Sequence, residues 1–271
     1  MAEKENFWQL LNGETLAESF VTDCAACVGI CCTALYFAKE EGFPIDKMAG
    51  EPCKYLQKDH RCSVHADLMK KGFHGCVNFD CMGAGQLAAQ KAKNEGITAP
   101  KTMYDCFFTL MQLRLALFFL WQARLACSSG SLEEQIRCAV EENARLTSMA
   151  CEELARLDAH GYHQKLTPLL AAAWQAGAAF LGAEPTAAPK DLVGKKPQAT
   201  RGADFSGSLL LGASLKNRDL CGANFLAADL RGADLCGADL SHSFYLTRGQ
   251  VQSARTDEKT KLPLYLRQFG A

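Results

Sequence analysis

From Arg201 onward the chain repeats every five residues: R-G-A-D-F, S-G-S-L-L, L-G-A-S-L, K-N-R-D-L, C-G-A-N-F, L-A-A-D-L, R-G-A-D-L and C-G-A-D-L, with S-H-S-F-Y as a degenerate ninth unit. A fixed short period with Leu or Phe at one position, and mostly Ala two residues earlier, has few structural solutions. Four five-residue faces make one square turn of a right-handed β-solenoid. Phe205, Leu210, Leu215, Leu220, Phe225, Leu230, Leu235 and Leu240 are then expected to stack inside. Ala203, Ser208, Ala213, Ala223, Ala228, Ala233 and Ala238 point inward where space is short. Arg218 breaks that rule and is expected at a distorted corner or an interface. The Asp and Asn positions face out or support turns.

This pattern resembles the pentapeptide-repeat proteins and covers about a fifth of the chain, roughly two coils. Each coil of such a stack buries its face only against its neighbours, so a short stack needs caps. The tail from Leu246 to Leu266 is expected to close one end, and the helices to cover the other. Some proteins of this kind imitate DNA in outline and charge. Here Lys216, Arg218 and Arg231 offset the aspartates, so that role is not expected.

The second constraint is cysteine. Eight of the 14 cysteines fall between Cys24 and Cys81: Cys24-Ala-Ala-Cys27, the vicinal pair Cys31-Cys32, then Cys53, Cys62, Cys76 and Cys81. Compartment decides between disulfides and metal. The opening MAEKENFWQLLNGE has no basic stretch leading into a long apolar run, so a reduced, cytoplasmic setting is expected. Adjacent cysteines bridge one another only with strain. A C-x-x-C step, by contrast, wraps two thiolates around one ion, and both zinc and iron–sulfur clusters take four thiolates. Eight thiols could supply two four-ligand sites, or one site with spare thiols. The stretch between Cys53 and Cys62 is expected to form a hairpin with a thiolate at each end. His65, three residues after Cys62, is a candidate fourth ligand; His60 and His74 are expected to be solvated or structural. Cys106, Cys127, Cys138, Cys151, Cys221 and Cys236 are read as ordinary thiols, most of them small buried hydrophobes.

The C-x-x-C-x-x-x-C-C opening with later single cysteines resembles a bacterial cysteine-cluster family with a zinc- or iron-chelating domain. The resemblance covers about a quarter of the chain and implies metal binding through Cys24, Cys27, Cys31, Cys32, Cys53, Cys62, Cys76 and Cys81, with His65, without implying an activity. The Tyr and Arg-Pro residues that end that family's pattern are replaced here by His65 and Gly75-Cys76.

Between cysteines and repeat the periodicity is helical. Residues 1–23 are expected to form short helices, and Gly83-Ala84-Gly85 to turn the chain into a helix running through Lys93. Those two glycines lack the third of a dinucleotide fingerprint. A long apolar helix is expected over Tyr104–Ala126. Gln112, Arg114, Gln122 and Arg124 interrupt it, so it reads as buried rather than membrane-spanning. Ser131 and Glu134 form a capping box for a second helix reaching about Ala159, ended by Gly161. Thr167-Pro168 then starts a third, Leu169–Phe180. Short turns between helices imply an antiparallel bundle.

The expected architecture is α+β: a loop-rich cysteine module with flanking helices (1–95), a helical bundle (96–181), a Pro- and Ala-rich linker (182–200), the solenoid (201–250) and a C-terminal cap (251–271). A formal net charge of −1 gives no bulk attraction to nucleic acid or an anionic membrane. No Ser-His-Asp order, HExxH helix or phosphate loop is present. The favoured expectation is a metal-binding regulatory or interaction protein, holding zinc or iron (the latter in an iron–sulfur cluster) and meeting a protein partner through its helices or solenoid. The alternatives are an iron-dependent redox or modification enzyme, and a soft-metal storage or delivery protein.

Overall fold

The structure is a computed structural model and describes residues 20–127, 130–198 and 200–267. The helices expected over residues 1–23 lie outside the described residues as far as residue 19, and residues 20–23 are not helical. The described residues divide into two compact units: those of 20–118 with 140–165, and those of 119–139 with 166–267. The division falls inside three helices, so neither unit is one continuous segment.

The first unit carries the cysteines. It holds the short helices α1 (Ile30–Ala34) and α2 (His74–Asn78), then α3 (Ala84–Asn94), and parts of α4 (Pro100–Ala126) and α5 (Ser131–Ser148). One short helix, α6 (Cys151–Leu154), follows, and then the start of α7 (Ala159–Phe180). Its core joins Ile30 and Ala34 to Ala84, Ala88, Ala89 and Ala92 of α3, to Cys106, Phe107, Leu110 and Leu113 of α4, and to Leu146, Cys151 and Leu154. The buried face of α3 is built of alanine and glycine, which lets neighbouring backbone come close. Buried Asn143 donates from Nδ2 to the Leu113 carbonyl at 3.0 Å, tying α5 to α4. Lys91 Nζ donates to the Met149 carbonyl at 2.7 Å just past the end of α5, where a cation complements the helix dipole. Glu95 accepts the Cys151 amide at 2.7 Å and so caps α6.

Several helix ends differ from expectation. Ser131 is the first residue of α5 rather than its cap, and Glu134 pairs with Arg137 instead of closing a box. Helix α5 stops at Ser148, well short of Ala159, because Ala150 and Glu153 begin a separate turn. Gly161 ends nothing: it lies in the first turn of α7, its amide held by Asp158 Oδ1 at 2.8 Å. Pro168 lies inside α7 rather than at its start. Burial of Leu166, Leu170, Ala173 and Trp174 along one continuous face outweighs the hydrogen bond that proline removes. By length and composition α4 could cross a membrane, yet 72% of its most apolar window is buried within the protein.

The second unit contains the solenoid. Parallel bridges join Asp204 to Asn224, Leu209 to Asp229, Ser214 to Asp234, Asp219 to Asp239 and Asn224 to Phe244, each pair twenty residues apart. One coil is therefore four pentapeptides. Every inward Leu and Phe from Phe205 to Leu240 is buried, as are Ala203, Ser208, Ala213, Ala223, Ala228, Ala233 and Ala238. Phe205 and Phe225 stack one coil apart with centroids 5.4 Å from each other. The corner at Arg218 is regular, not distorted. Asn217 takes the left-handed conformation its glycine counterparts use, and the ladder bond from the Asp239 amide to the Arg218 carbonyl is 2.8 Å.

The stretch expected to be a linker is part of the stack. Strand β1 (Thr186–Ala187) pairs in parallel with β2 (Ala203–Asp204), Asp191 bridges Leu209, and the Ser214 amide donates to the Lys195 carbonyl at 2.9 Å. Past the repeat, a Thr247–Gln250 capping box starts α8 (Arg248–Ser253), and Arg255 and Lys261 bridge Asp234 and Asp239. A last short helix, α9 (Leu264–Arg267), follows. Gln122 of α4 accepts the Tyr245 amide at 2.8 Å and the Tyr265 hydroxyl at 3.2 Å. Trp174 Nε1 donates to the Gly222 carbonyl at 2.7 Å, and Tyr245 donates its hydroxyl to the Leu170 carbonyl at 2.8 Å.

Candidate functional site

The eight cysteines from Cys24 to Cys81 are all free thiols in the first unit. Asp23 shapes the C-x-x-C loop by accepting the Ala25 amide at 2.8 Å, a turn Asp forms readily. Gln86 of α3 clamps that loop, accepting the Asp23 amide at 2.7 Å and donating to the Val21 carbonyl at 3.1 Å. Beyond it the Ile30 and Gly29 amides donate to the Cys27 sulfur. A Cβ at Gly85 would lie 3.0 Å from Cys27 Sγ, closer than ordinary contact, and 3.7 Å from Cys81 Sγ, so both sulfurs lie against the bare backbone of this residue. Thr22 Oγ1 lies 3.6 Å from Cys81 Sγ.

The next cysteines are gathered by backbone pairing. The Cys53 amide donates to the Cys32 carbonyl at 2.9 Å. Leu56 and Cys62 face each other across an antiparallel bridge, and the Gln57 amide bonds the Arg61 carbonyl at 2.8 Å, closing a hairpin. The Val64 amide donates to the Cys62 sulfur. Cys76 lies on α2, where its electrostatic neighbours are Cys32, Cys53 and Cys62.

These thiols perturb one another. Burial and the adjoining sulfurs push Cys76 up to about 12. Burial also raises Cys24, where Cys81, Cys27 and Cys32 add repulsion, and it raises Cys27 and Cys62. Within the vicinal pair, the hydrogen bond between the two thiols raises Cys31. The same bond, with help from the Lys47 ammonium, lowers Cys32 to about 7. Most of these groups therefore hold their protons while only thiols surround them. A cation among them would reverse that balance. Among the described residues, no three or more His, Cys, Asp or Glu side chains stand as a finished ion site. The thiols are gathered without being closed. As donors, half-buried sulfurs that accept backbone amides suit zinc or an iron–sulfur cluster.

Two cations escaped sequence reasoning. Lys47 is buried and donates from Nζ to the carbonyls of Thr33, Leu35, Met48 and Glu51, with the Glu51 bond at 2.8 Å. It interacts with Cys53, Cys32 and Cys31. Arg114 is buried in α4, donates from Nε to the Met82 carbonyl at 2.9 Å and interacts with Cys81. Its guanidinium stands 4.6 Å from the Phe20 ring centroid. Neither position carries a sequence signal, because a lone basic residue in a loop or long helix reads as solvated.

His65 is exposed in the turn His65–Asp67, its amide on the Cys62 carbonyl at 3.3 Å; His60 and His74 are also exposed. Of the remaining cysteines, Cys106, Cys127 and Cys151 are buried, Cys221 and Cys236 are half-buried, and Cys138 is exposed rather than in the core. Cys138 lies on the outer face of α5, its sulfur 3.8 Å from Glu134 Oε1.

Residues 201–237 match the model of the pentapeptide repeats in eight copies. The protein "Uncharacterized protein YybG" of Bacillus subtilis (strain 168) is 37% identical, over 90% of this chain and 92% of its own length. This chain belongs to the YybG family. The likeness to YybG extends beyond the repeat, since residues 201–237 are a small part of the matched length. A solved pentapeptide repeat protein, Rfr23 from the cyanobacterium Cyanothece 51142, shares 26% identity with this chain. That match covers 29% of this chain and about half (52%) of Rfr23, with a TM-score of 0.22.

Proposed function

We propose that this protein binds zinc or iron through the thiols of Cys24–Cys81 and presents the loaded module to a protein partner, as a metal- or redox-responsive regulatory protein of the cytoplasm. The observation that carries the reading is the presence of eight free thiols within residues 24–81, several of them electrostatic neighbours, with backbone amides donating to the Cys27 and Cys62 sulfurs. Thiols set this close would repel one another once ionised, and a bound cation would offset that cost. The C-x-x-C-x-x-x-C-C resemblance to zinc- or iron-chelating domains points the same way. The α+β description, with an antiparallel bundle and a right-handed, four-sided coil, is the layout that accompanies this reading, and the solenoid would offer the partner its surface.

The test is anaerobic purification followed by elemental analysis and a visible absorption spectrum. A brown protein containing iron and sulfide selects a cluster, and a colourless one containing zinc selects a thiolate zinc centre. Reduced, folded protein that holds neither metal would end the proposal.

A further inference from the structure

We propose that Cys106 and Cys151 are a redox modification site: a hydroperoxide converts this buried dithiol to a disulfide that fastens α4 to α6, with Glu95 taking the first proton. The inference goes beyond the metal-binding reading and does not rest on it, because neither sulfur is among the thiols from Cys24 to Cys81.

Both residues are wholly buried, in the same core as Ala88, Ala92, Leu110 and Leu154. The Cys106 thiol donates to the Cys151 sulfur across 3.1 Å. A disulfide bond is about 2.05 Å long, so an approach of roughly 1 Å turns this contact into a covalent link. The partners are 45 positions apart and stand on different helices, so packing alone brings them together.

Thiols kept only as small hydrophobes need no charged group beside them. This pair has two. Glu95, just past the end of α3, accepts the Cys151 amide at 2.7 Å, and its carboxylate also accepts from the Cys151 thiol. Lys91 pairs with Glu95 at 4.0 Å and interacts with both sulfurs. The Lys91 and Glu95 side chains are 21% and 29% exposed, so they form a polar edge that links an otherwise sealed pair to water. Burial raises both thiols. The hydrogen bond between them raises Cys106 further but favours the Cys151 thiolate, which makes Cys151 the first to react.

Hydrogen peroxide is the simplest case. Cys151 gives its proton to Glu95, and its thiolate attacks one peroxide oxygen. The O–O bond breaks, and the departing hydroxide takes the proton from Glu95 and leaves as water. The Cys106 sulfur then attacks the Cys151 sulfenic acid. The S–S bond forms, the S–O bond breaks, and hydroxide leaves with the Cys106 proton as a second water. Two thiols have lost two electrons, and the peroxide has gained them. Burial keeps thiolate scarce, so the link forms slowly, and the same burial then shields it from reductant.

The experiment treats reduced full-length protein with hydrogen peroxide, blocks the remaining thiols under denaturing conditions and maps the peptides by mass spectrometry. A peptide pair joined through Cys106 and Cys151, lighter by two hydrogens than the reduced pair, is expected in wild type. Glu95→Gln keeps an oxygen for the Cys151 amide but takes no proton, and should form the link at least about tenfold more slowly. The shift in thermal midpoint caused by peroxide should be roughly 5 °C or more further upward in wild type than in Cys106→Ala, because only wild type gains this cross-link. That difference between shifts cancels the oxidation of other thiols. Absence of the linked pair from wild type whose exposed Cys138 is fully oxidised would overturn the proposal. Capture of Cys106 or Cys151 by a different cysteine would overturn it too. An unchanged rate in Glu95→Gln would remove Glu95 from the reaction, and equal midpoint shifts would show that the link fastens nothing.

Discussion

Single residues of the solenoid show how little freedom its corners leave. Most corners place glycine in the left-handed region, but Ala227 sits there at φ 55°. An L-residue other than glycine is strained in that region. Replacing Ala227 with Gly should therefore stabilise the protein by roughly 0.5–1 kcal/mol, seen as a raised urea midpoint with unchanged slope. The reverse substitution at Gly202 has a second cost. A Cβ there would lie 2.2 Å from the Glu184 carbonyl oxygen, which is backbone and cannot rotate away. Gly202→Ala should cost about 2 kcal/mol or more and detach β1 from β2. Equal and small effects at both positions would contradict this account of the corners.

His242 adds a pH dependence at the same scale. Burial holds its imidazole below the ordinary 6.5, against the opposing pull of Asp239. The folded state then binds its proton less readily than the unfolded chain. The stability it contributes is complete above about pH 6.5 and is lost as pH falls below that value. His242→Gln should flatten the slope of the thermal midpoint between about pH 7 and pH 5.5. An unaltered slope in the variant would assign the dependence elsewhere.

Among the elements, α4 has the widest set of duties. Its buried apolar residues lie between Cys106 and Ala123, while its buried polar residues fasten other segments. Gln122 accepts the buried Tyr245 amide and shares the buried Tyr265 hydroxyl with the Leu246 carbonyl. Gln122→Leu would leave the Tyr245 amide without that acceptor and should cost roughly 1–3 kcal/mol in chemical denaturation. A cost within ~0.5 kcal/mol would mean that this amide finds another acceptor. The residues that interrupt the apolar run thus have a clear part in packing. From sequence they argued only that the helix is not a membrane span, because nothing in a helical period says which distant backbone group a glutamine will meet. The same limit hid the first coil. Residues 183–198 pair with the stack at offsets of seventeen and eighteen residues, and the tail at twenty-one and twenty-two, so neither keeps the five-residue beat. Hydrogen-bond pairing between coils tolerates these offsets although the side-chain period does not.

At the scale of the whole molecule, the two units have separate cores, one built on α3 and α4 with the cysteine loops and one on the stacked Leu and Phe. The cysteine loops are short and poor in regular structure, so a metal bound there as proposed would supply part of their folding free energy. Under that proposal, stripping it with a chelator under reducing conditions should raise amide hydrogen exchange across residues 20–81. The ladder amides between residues 203 and 261 should keep their protection, because their bonds close within the stack. Equal loss in both regions would show that the metal supports the entire fold.

The amino-acid sequence alone determined the repeat and its stacked interior, because a side chain every fifth residue has only one inward place to go. It also marked the cysteines between Cys24 and Cys81 as a candidate group, through their density and the C-x-x-C step. Tertiary structure decided the rest: which thiols neighbour which, that Lys47 and Arg114 stand beside them, that α7 runs through Pro168, and that the apparent linker is a coil. Local spacing records the period of an element and the ligands one loop can offer. Partners brought together from residues 24, 53, 76 and 114 depend on long-range packing, which leaves no periodic mark on the chain.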